Sequence, residues 1–145
     1  MMRVLSFLMF VGVVGLCSAQ DKEIPSDFTG TVESYFDSGQ LESVKYYQDG
    51  QAQGLFMLYY ENGELREKGT FQSGMKDGEW VRWSEDGTQV AEANYEDGQK
   101  DGPWKIWDEN GVLRYDMTYE MDQKVNIWYM YDAESTLVSE RNYNE

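Results

Sequence analysis

The stretch WVRWSEDGTQVAEANYEDGQKDGPWKIWDENGVLRY, from Trp80 to Tyr115, decides the fold because it contains the same pattern twice. The pattern W-x-x-W-x-E-D-G that begins at Trp80 returns as W-x-x-W-x-E-N-G at Trp104, 24 residues later. A self-similar unit of this length is typical of proteins built from stacked structural repeats.

The repeat extends along most of the chain. Glycines recur at the same spacing in three series: Gly39, Gly63, Gly87 and Gly111; Gly50, Gly74 and Gly98; Gly30, Gly54, Gly78 and Gly102. Aromatic residues do so in three more: Phe56, Trp80, Trp104 and Trp128; Tyr35, Tyr59, Trp83, Trp107 and Tyr131; Tyr47, Phe71, Tyr95, Tyr119 and Tyr143. These series predict about five tandem repeats of 24 residues over residues 28–145.

Each repeat contains two turn signals separated by runs of strand length. The first is of the E-N-G type, as at Glu61, and the second is of the Q-D-G type, as at Gln48. Asn-Gly and Asp-Gly favour type I′ hairpins, in which both central residues have positive φ. We therefore predict an all-β fold, an antiparallel meander of about ten strands in one elongated sheet, either open or curled.

The strand patterns indicate which side chains share a face. Leu113, Tyr115, Met117 and Tyr119 alternate with polar residues, which predicts that these four share one buried face. Trp104 and Trp107 are three residues apart, so either a bulge aligns them or both faces carry aromatic side chains. We expect one tryptophan series to form a packed ladder: Trp80, Trp104 and Trp128. The candidate binding surface is a more exposed series: Tyr59, Trp83, Trp107 and Tyr131.

The last repeat differs from the others. Asp122, Asn126 and Ser135 stand where the spacing predicts glycine, which is typical of a terminal repeat that caps an array. If the sheet is open, its two edge strands present unpaired backbone groups, and we expect a homodimer formed by edge pairing as one way to cover them.

The first residues have the pattern of a secretory signal peptide. Arg3 precedes an apolar run over residues 4–16, and small residues lead to a cleavage site between Ala19 and Gln20. We expect cleavage there rather than lipidation at Cys17, because the preceding leucine is large where lipidation needs a small residue. The predicted organisation is a signal peptide (1–19), a short linker (20–27) and the repeat domain (28–145). An exported chain with no cysteine after cleavage favours a bacterial envelope location, periplasmic or secreted.

The composition is strongly acidic. Lys and Arg number 12 against 27 Asp and Glu, a formal charge of -15. This charge disfavours nucleic acid and direct membrane binding, both of which need clustered Lys or Arg. Another protein, in particular a cationic one, is the expected partner, and a neutral glycan remains open.

The residues that common catalytic mechanisms require are absent. The chain has no histidine and its one cysteine is Cys17, so Ser-His-Asp and Cys-His catalysis are excluded for the mature chain. One series of turn carboxylates should lie two strands apart, about 9.6 Å, which is too far to converge on one calcium ion: Asp37, Glu61, Glu85 and Glu109. We expect no enzymatic activity, catalytic residue, cofactor or bound metal.

The stretch GEWVRWSEDGTQVAEANYEDGQKDG, from Gly78 to Gly102, resembles the variant MORN repeat of bacterial proteins, whose members include YwqK-like antitoxins. The resemblance implies a non-enzymatic array of β-hairpins that contacts other proteins, with no catalytic residues to transfer. Gln89 and Val32 depart from the pattern, which has leucine and tryptophan at those positions. Together these observations predict an exported protein-interaction module that acts as an antitoxin or immunity partner, with a cell-wall or extracellular glycan-binding module as the alternative.

Overall fold

The computed structural model describes residues 24–144, and these form one antiparallel sheet without helices. Its strands are β1 (Gly30–Tyr35), β2 (Leu41–Gln48), β3 (Gln51–Tyr59), β4 (Leu65–Gln72), β5 (Met75–Trp83), β6 (Gln89–Glu96), β7 (Gln99–Lys100), β8 (Gly102–Trp107), β9 (Leu113–Glu120), β10 (Gln123–Tyr131) and β11 (Leu137–Asn142). β7 and β8 both pair with β6 and share one place in the sheet. The sheet therefore has ten places in chain order and is open, with β1 and β11 at its edges. This confirms the predicted hairpin meander.

The predicted signal peptide and its cleavage site between Ala19 and Gln20 lie outside the described residues, as does Cys17. Within residues 24–144, no helix has the length and apolar character needed to cross a membrane.

The two turns of each repeat have different geometries. In the first turn only the glycine has positive φ, as at Gly63 (90°), while Asn62 does not. The Tyr60 amide donates to the Glu64 carbonyl and the Gly63 amide donates to the Tyr60 carbonyl, which makes a three-residue loop: a type I turn followed by a left-handed glycine. The prediction of type I′ turns at these positions is therefore wrong.

The second turn is the type I′ turn. In Asp49-Gly50 both central residues have positive φ (48° and 73°), and the flanking glutamines pair directly. The same holds at Ser73-Gly74, Asp97-Gly98 and Met121-Asp122. A two-residue loop needs this mirror-image turn to match the twist of the strands, whereas the longer first loop reverses the chain with a single left-handed residue.

A bulge follows every first turn and changes the faces that the pattern predicts. Trp107 pairs with Leu113, but Ile106 pairs with Tyr115, so Arg114 is an extra residue in β9. The equivalent extra residues are Glu42, Arg66, Val90 and Val138. Because directly opposed residues point to the same side of a sheet, Leu113 lies on the face opposite Tyr115. The prediction that Leu113 shares a face with Tyr115, Met117 and Tyr119 is therefore wrong.

The same register shows how the two tryptophans of a repeat are arranged. β8 pairs continuously with β9 from Gly102 to Ile106, so no bulge lies between Trp104 and Trp107 on β8 itself. The two side chains point to opposite faces, and both faces of the sheet carry aromatic residues.

A second bulge recurs where one first-turn hairpin pairs with the next, as between β4 and β5 and between β9 and β10. Lys68 pairs with Val81 and Thr70 pairs with Asp77, so the single residue Gly69 faces three residues of β5, from Gly78 to Trp80. The indole N–H of Trp80 donates across the bulge to the Thr70 carbonyl at 3.2 Å. Trp104 and Trp128 make the same bond to Asn94 and Thr118. Each tryptophan thus ties its own hairpin to the one before it.

The sheet has little interior. Among residues 24–144, the buried apolar side chains are Ala52, Trp80 and Met117, and Trp80 is the most buried of them at 3% exposure. The last hairpin keeps the backbone of the others, since Asp122, Asn126 and Ser135 hold φ values of 66°, 61° and 61° in place of glycine. All of β11 is exposed, as expected of a terminal repeat.

Candidate interaction surfaces

One face of the sheet carries a continuous ladder of aromatic rings, and we call it the aromatic face. Neighbouring ring centroids lie 4.8–6.3 Å apart, mostly edge to face, which is a favourable aromatic geometry. The rings are Phe56, Phe71, Trp80, Tyr95, Trp104, Tyr119, Trp128 and Tyr143. The predicted packed tryptophan ladder is confirmed, with a tyrosine between successive tryptophans.

A lysine ammonium lies over each later pair of rings. The Lys76 Nζ is 3.7 Å from the Trp80 centroid and 5.2 Å from that of Tyr95. Lys100 and Lys124 occupy the same position in the next two hairpins, 4.8 Å and 4.7 Å from their tryptophans. These are cation–π contacts. These contacts were not predicted from the sequence, although the three lysines share the 24-residue spacing of the rings.

The first hairpins use a different lysine for the same purpose. Ala52 occupies the place equivalent to Lys76, and Lys45 reaches over from β2 to lie 4.3 Å from the Phe71 centroid. Burial lowers the pKa of Lys45, and the positive charge of Lys76 lowers it further. Positive charge is therefore concentrated on this face closely enough for neighbouring ammonium groups to repel each other.

Carboxylates balance only part of this charge. The Glu67 carboxylate is 3.2 Å from the Lys76 ammonium and 3.8 Å from the Arg82 guanidinium. Within the described residues the other ion pair joins Arg114 to Asp108. Lys100 and Lys124 have no carboxylate within 4 Å in this part of the chain.

The strand register separates the charges between the two faces. Leaving out turns and bulges, the aromatic face carries six cationic residues and one acidic residue, Glu67, for a formal charge of +5. The six are Lys45, Lys76, Arg82, Lys100, Lys124 and Arg141.

The opposite face, which we call the acidic face, carries two lysines and eight carboxylates, for a formal charge of -6. The lysines are Lys68 and Lys105, and the carboxylates are Glu33, Asp77, Glu79, Glu92, Glu96, Asp116, Glu120 and Glu140. The net charge of the sequence conceals this separation.

The predicted binding residues lie on the acidic face. Each is half-buried and closes the strand before a first turn, opposite the residue that opens the next strand; the four are Tyr59, Trp83, Trp107 and Tyr131. Successive members are two strands apart, about 9.6 Å, so they form one row at the first-turn end of the sheet. A cavity of about 290 Å³ opens beside Trp83, with Leu55, Val81 and Gln89 in its lining. Gln89 stands here in place of the leucine of the other repeats.

Neighbouring side chains hold the backbone of this row in place. The Tyr60 hydroxyl donates to the Trp83 carbonyl at 2.9 Å, and the Arg114 Nε donates to the Tyr131 carbonyl at 2.9 Å. Each bond joins one strand pair to the next at the first-turn end of the sheet. These bonds therefore help to fix the distance between successive members of the row.

Two other acidic residues of the first turns, Asp86 and Asp108, stabilise the turns through hydrogen bonds. The Asp108 Oδ1 accepts from the Val112 and Asn110 amides at 3.0 Å, and these hydrogen bonds lower the pKa of Asp108. A hydrogen bond from Ser84 does the same for the pKa of Asp86. The series of turn carboxylates described in the sequence is exposed at the first-turn end of the sheet: Asp37, Glu61, Glu85 and Glu109. In residues 24–144 no three His, Cys, Asp or Glu side chains are grouped so as to hold a metal ion.

Comparison with protein families agrees with this hairpin geometry. Three segments of this chain match the MORN repeat variant. They are residues 28–51, 52–73 and 100–121. MORN repeats are generally non-catalytic modules for interactions. The hairpins between and after the matched segments keep the same bulges. No curated protein matches the chain.

Proposed function

We propose that this protein is an exported protein-interaction module that binds a cationic protein through its acidic face. The observation that carries the proposal is that the aromatic row and eight carboxylates share that face. Tyrosine and tryptophan are the residues that most often dominate the energy of protein interfaces. Surrounding carboxylates accelerate the approach of a cationic partner and exclude acidic ones. Aromatic anchors and complementary charge therefore act on the same side.

The role that we propose for this binding is that of an antitoxin or immunity partner in a bacterial envelope. Its support is the match to the MORN repeat variant, the resemblance of these repeats to YwqK-like antitoxins, and the acidity of the chain. The proposed export rests on the signal-peptide pattern of residues 1–19. A basic secreted effector encoded beside this protein would agree with the immunity role.

The test uses the mature chain, residues 20–145, as bait in an envelope extract at low and physiological salt. We expect it to retain a basic protein that Trp83→Ala/Trp107→Ala no longer retains. A matched control, Tyr115→Ala, removes an exposed ring from the aromatic face and should bind normally. The association rate of the purified partner should fall as salt rises, because screening weakens charge steering. A salt-independent rate, or equal loss in the control, contradicts the proposal.

A glycan-binding module is the second candidate, and the regular row of half-buried rings on the acidic face favours it. Flat aromatic rings at even spacing suit the repeating units of a polysaccharide. Titration with peptidoglycan fragments and neutral polysaccharides, followed by tryptophan fluorescence, tests it. A fluorescence shift that is lost in Trp83→Ala/Trp107→Ala and independent of salt would favour the glycan over the cationic protein.

We also propose that the open edges allow two copies to pair. β1 and β11 each have one strand neighbour among the described residues. Antiparallel pairing of an edge with its copy would give a two-fold dimer. Sedimentation of the mature chain at micromolar concentration tests this, and a monomer there contradicts it.

A further inference from the structure

We infer that the aromatic face is a second binding surface, and that its occupant is an extended acidic protein segment with apolar side chains. This surface is separate from the acidic face, so the inference does not depend on the function proposed above. It rests on the placement of charge, on a strip of exposed apolar side chains, and on their spacing.

The charge on this face opposes that of the whole protein. A surface of +5 in a chain of -15 attracts anionic groups to one side only. Lys76, Lys100 and Lys124 form a row because each is two strands from the next, about 9.6 Å. The ring beneath each ammonium holds it in position, so little side-chain entropy is lost when an anion binds.

The available part of this charge lies toward the C-terminal half of the sheet. Glu67 pairs with Lys76 and Arg82. The positions equivalent to Glu67 in the later repeats are Ala91, Tyr115 and Ser139, none of which is acidic. Lys100 and Lys124 therefore lack the internal partner that Lys76 has, and their charges are available to a ligand.

An apolar strip lies on the same face as these two lysines, four residues along β9 from Tyr119, which pairs with Lys124. Ile106, Tyr115 and Met130 are 38%, 42% and 37% exposed, more than most large apolar side chains of a folded domain. Tyr115 is directly opposite both Ile106 and Met130 in the register, so the three form one contiguous strip across β8, β9 and β10. They share the face of the lysine row, on its first-turn side.

An extended acidic segment fits both features. In an extended polyproline II segment, which has three residues per turn and rises about 3.1 Å per residue, a carboxylate at every third position recurs on the same side at about 9.3 Å, close to the lysine pitch. Apolar side chains between the carboxylates can contact the exposed strip. The face suits nucleic acid less well, because the ring faces are covered by lysines and neighbouring rings and offer no platform for base stacking. A flat anionic bilayer would also meet the exposed carboxylates of the first turns.

The test is titration of the mature chain into fluorescein-labelled peptides, followed by fluorescence anisotropy. The probe is a repeated Glu-Leu-Ser peptide, with Gln-Leu-Ser and Glu-Gly-Ser peptides as controls for charge and apolar contact. We expect Glu-Leu-Ser to bind most tightly. Lys100→Gln/Lys124→Gln should weaken it roughly two- to thirty-fold, the effect of losing two exposed ion pairs. The matched control, Lys68→Gln/Lys105→Gln, makes the same charge change on the acidic face and should leave binding unchanged.

Further variants keep the test decisive if the glutamine variant folds poorly. Lys100→Arg/Lys124→Arg should restore binding. Ile106→Ser/Met130→Ser should weaken Glu-Leu-Ser but not Glu-Gly-Ser. The inference is overturned by equal losses in both lysine pairs, by equal binding of the glutamine peptide, or by failure of Glu-Leu-Ser to bind while a sulfated polysaccharide or phosphatidylserine vesicles bind. Salt-sensitive self-association without peptide binding would identify a second copy as the occupant and would also overturn it.

Discussion

The two faces of this sheet are built on one backbone and differ in almost every other respect. On the aromatic face, eight rings from Phe56 to Tyr143 contact each other in sequence, and lysines lie over them. On the acidic face, the aromatic residues stand two strands apart, among carboxylates. No second layer covers either face within residues 24–144, so the packing energy comes from side-chain contacts within each face. The ladder makes the aromatic face the stabilising one, and the acidic face is then freer to vary for binding.

The largest expected effect compares a tryptophan from each face. Trp80 is almost fully buried, contacts Phe56, Phe71 and Tyr95, and donates to the Thr70 carbonyl. Trp80→Ala should reduce the free energy of unfolding by about 3–5 kcal/mol. Trp107→Ala, on the other face, should cost about 1–2 kcal/mol because its ring is only half-buried. Urea unfolding of both variants measures the difference, and equal losses would mean that the aromatic face is not the stabilising one.

The next prediction tests how closely the ladder packs on the backbone. A Cβ built on Gly69 would lie 2.1 Å from the Trp80 ring, so Gly69→Ala must displace the indole. We expect a loss of about 1–3 kcal/mol, typical of overpacking. Ala93 holds the equivalent position in the next hairpin, and Ala93→Gly should cost less than about 1 kcal/mol. If Gly69→Ala leaves the free energy of unfolding unchanged in thermal or urea unfolding, the Trp80 ring does not pack against Gly69.

A pair of lysines gives a smaller comparison. Lys76→Met removes a cation–π contact at 3.7 Å and the pair with Glu67, and should cost about 1 kcal/mol. Lys105→Met, on the acidic face, should change the stability by less than about 0.5 kcal/mol. Urea unfolding at two salt concentrations checks both. An equal or larger loss at Lys105 would indicate that the lysines over the rings do not contribute to the ladder.

The sequence predicts the architecture well because the repeat and its turns are local. The 24-residue spacing of glycines and rings requires hairpins of equal length, and these hairpins pair in chain order. The faces are harder to predict, because a bulge of one residue reverses every assignment beyond it. Arg114 has no local signal that marks it as the extra residue, so alternation alone puts Leu113 on the wrong face.

The charge separation was hidden for the same reason. The net charge of -15 gives the total charge of the chain and does not report which side of the sheet a residue faces. Lys76, Lys100 and Lys124 share the spacing of the rings, and this regularity was a usable signal of their position over the ladder. The predicted row of Tyr59, Trp83, Trp107 and Tyr131 depended only on strand spacing, and the structure brings the four onto one face. Their role in binding stays a prediction.

The smallest expected effect is a pH dependence that arises on the aromatic face. Burial raises the pKa of Tyr95 and Tyr119 above the usual 10.0, and the charge of Glu67 raises that of Tyr95 further. The folded state therefore holds these two protons more tightly than the unfolded state. Their contribution to stability is complete below about pH 10 and is lost as the pH rises through the raised values.

Lys45 acts in the opposite direction and must be removed to see this effect. Its lowered pKa means that the folded state releases its proton first, so its contribution to stability increases with pH up to about 10.5. In a Lys45→Met background, the melting temperature should fall as the pH rises above about 10. Adding Tyr95→Phe/Tyr119→Phe should reduce the fall, because phenylalanine keeps the rings and has no proton to lose; the slope that remains belongs to Tyr35, whose pKa is raised by its hydrogen bond to Glu33. An undiminished slope in the triple variant would place the titrating groups outside the ladder.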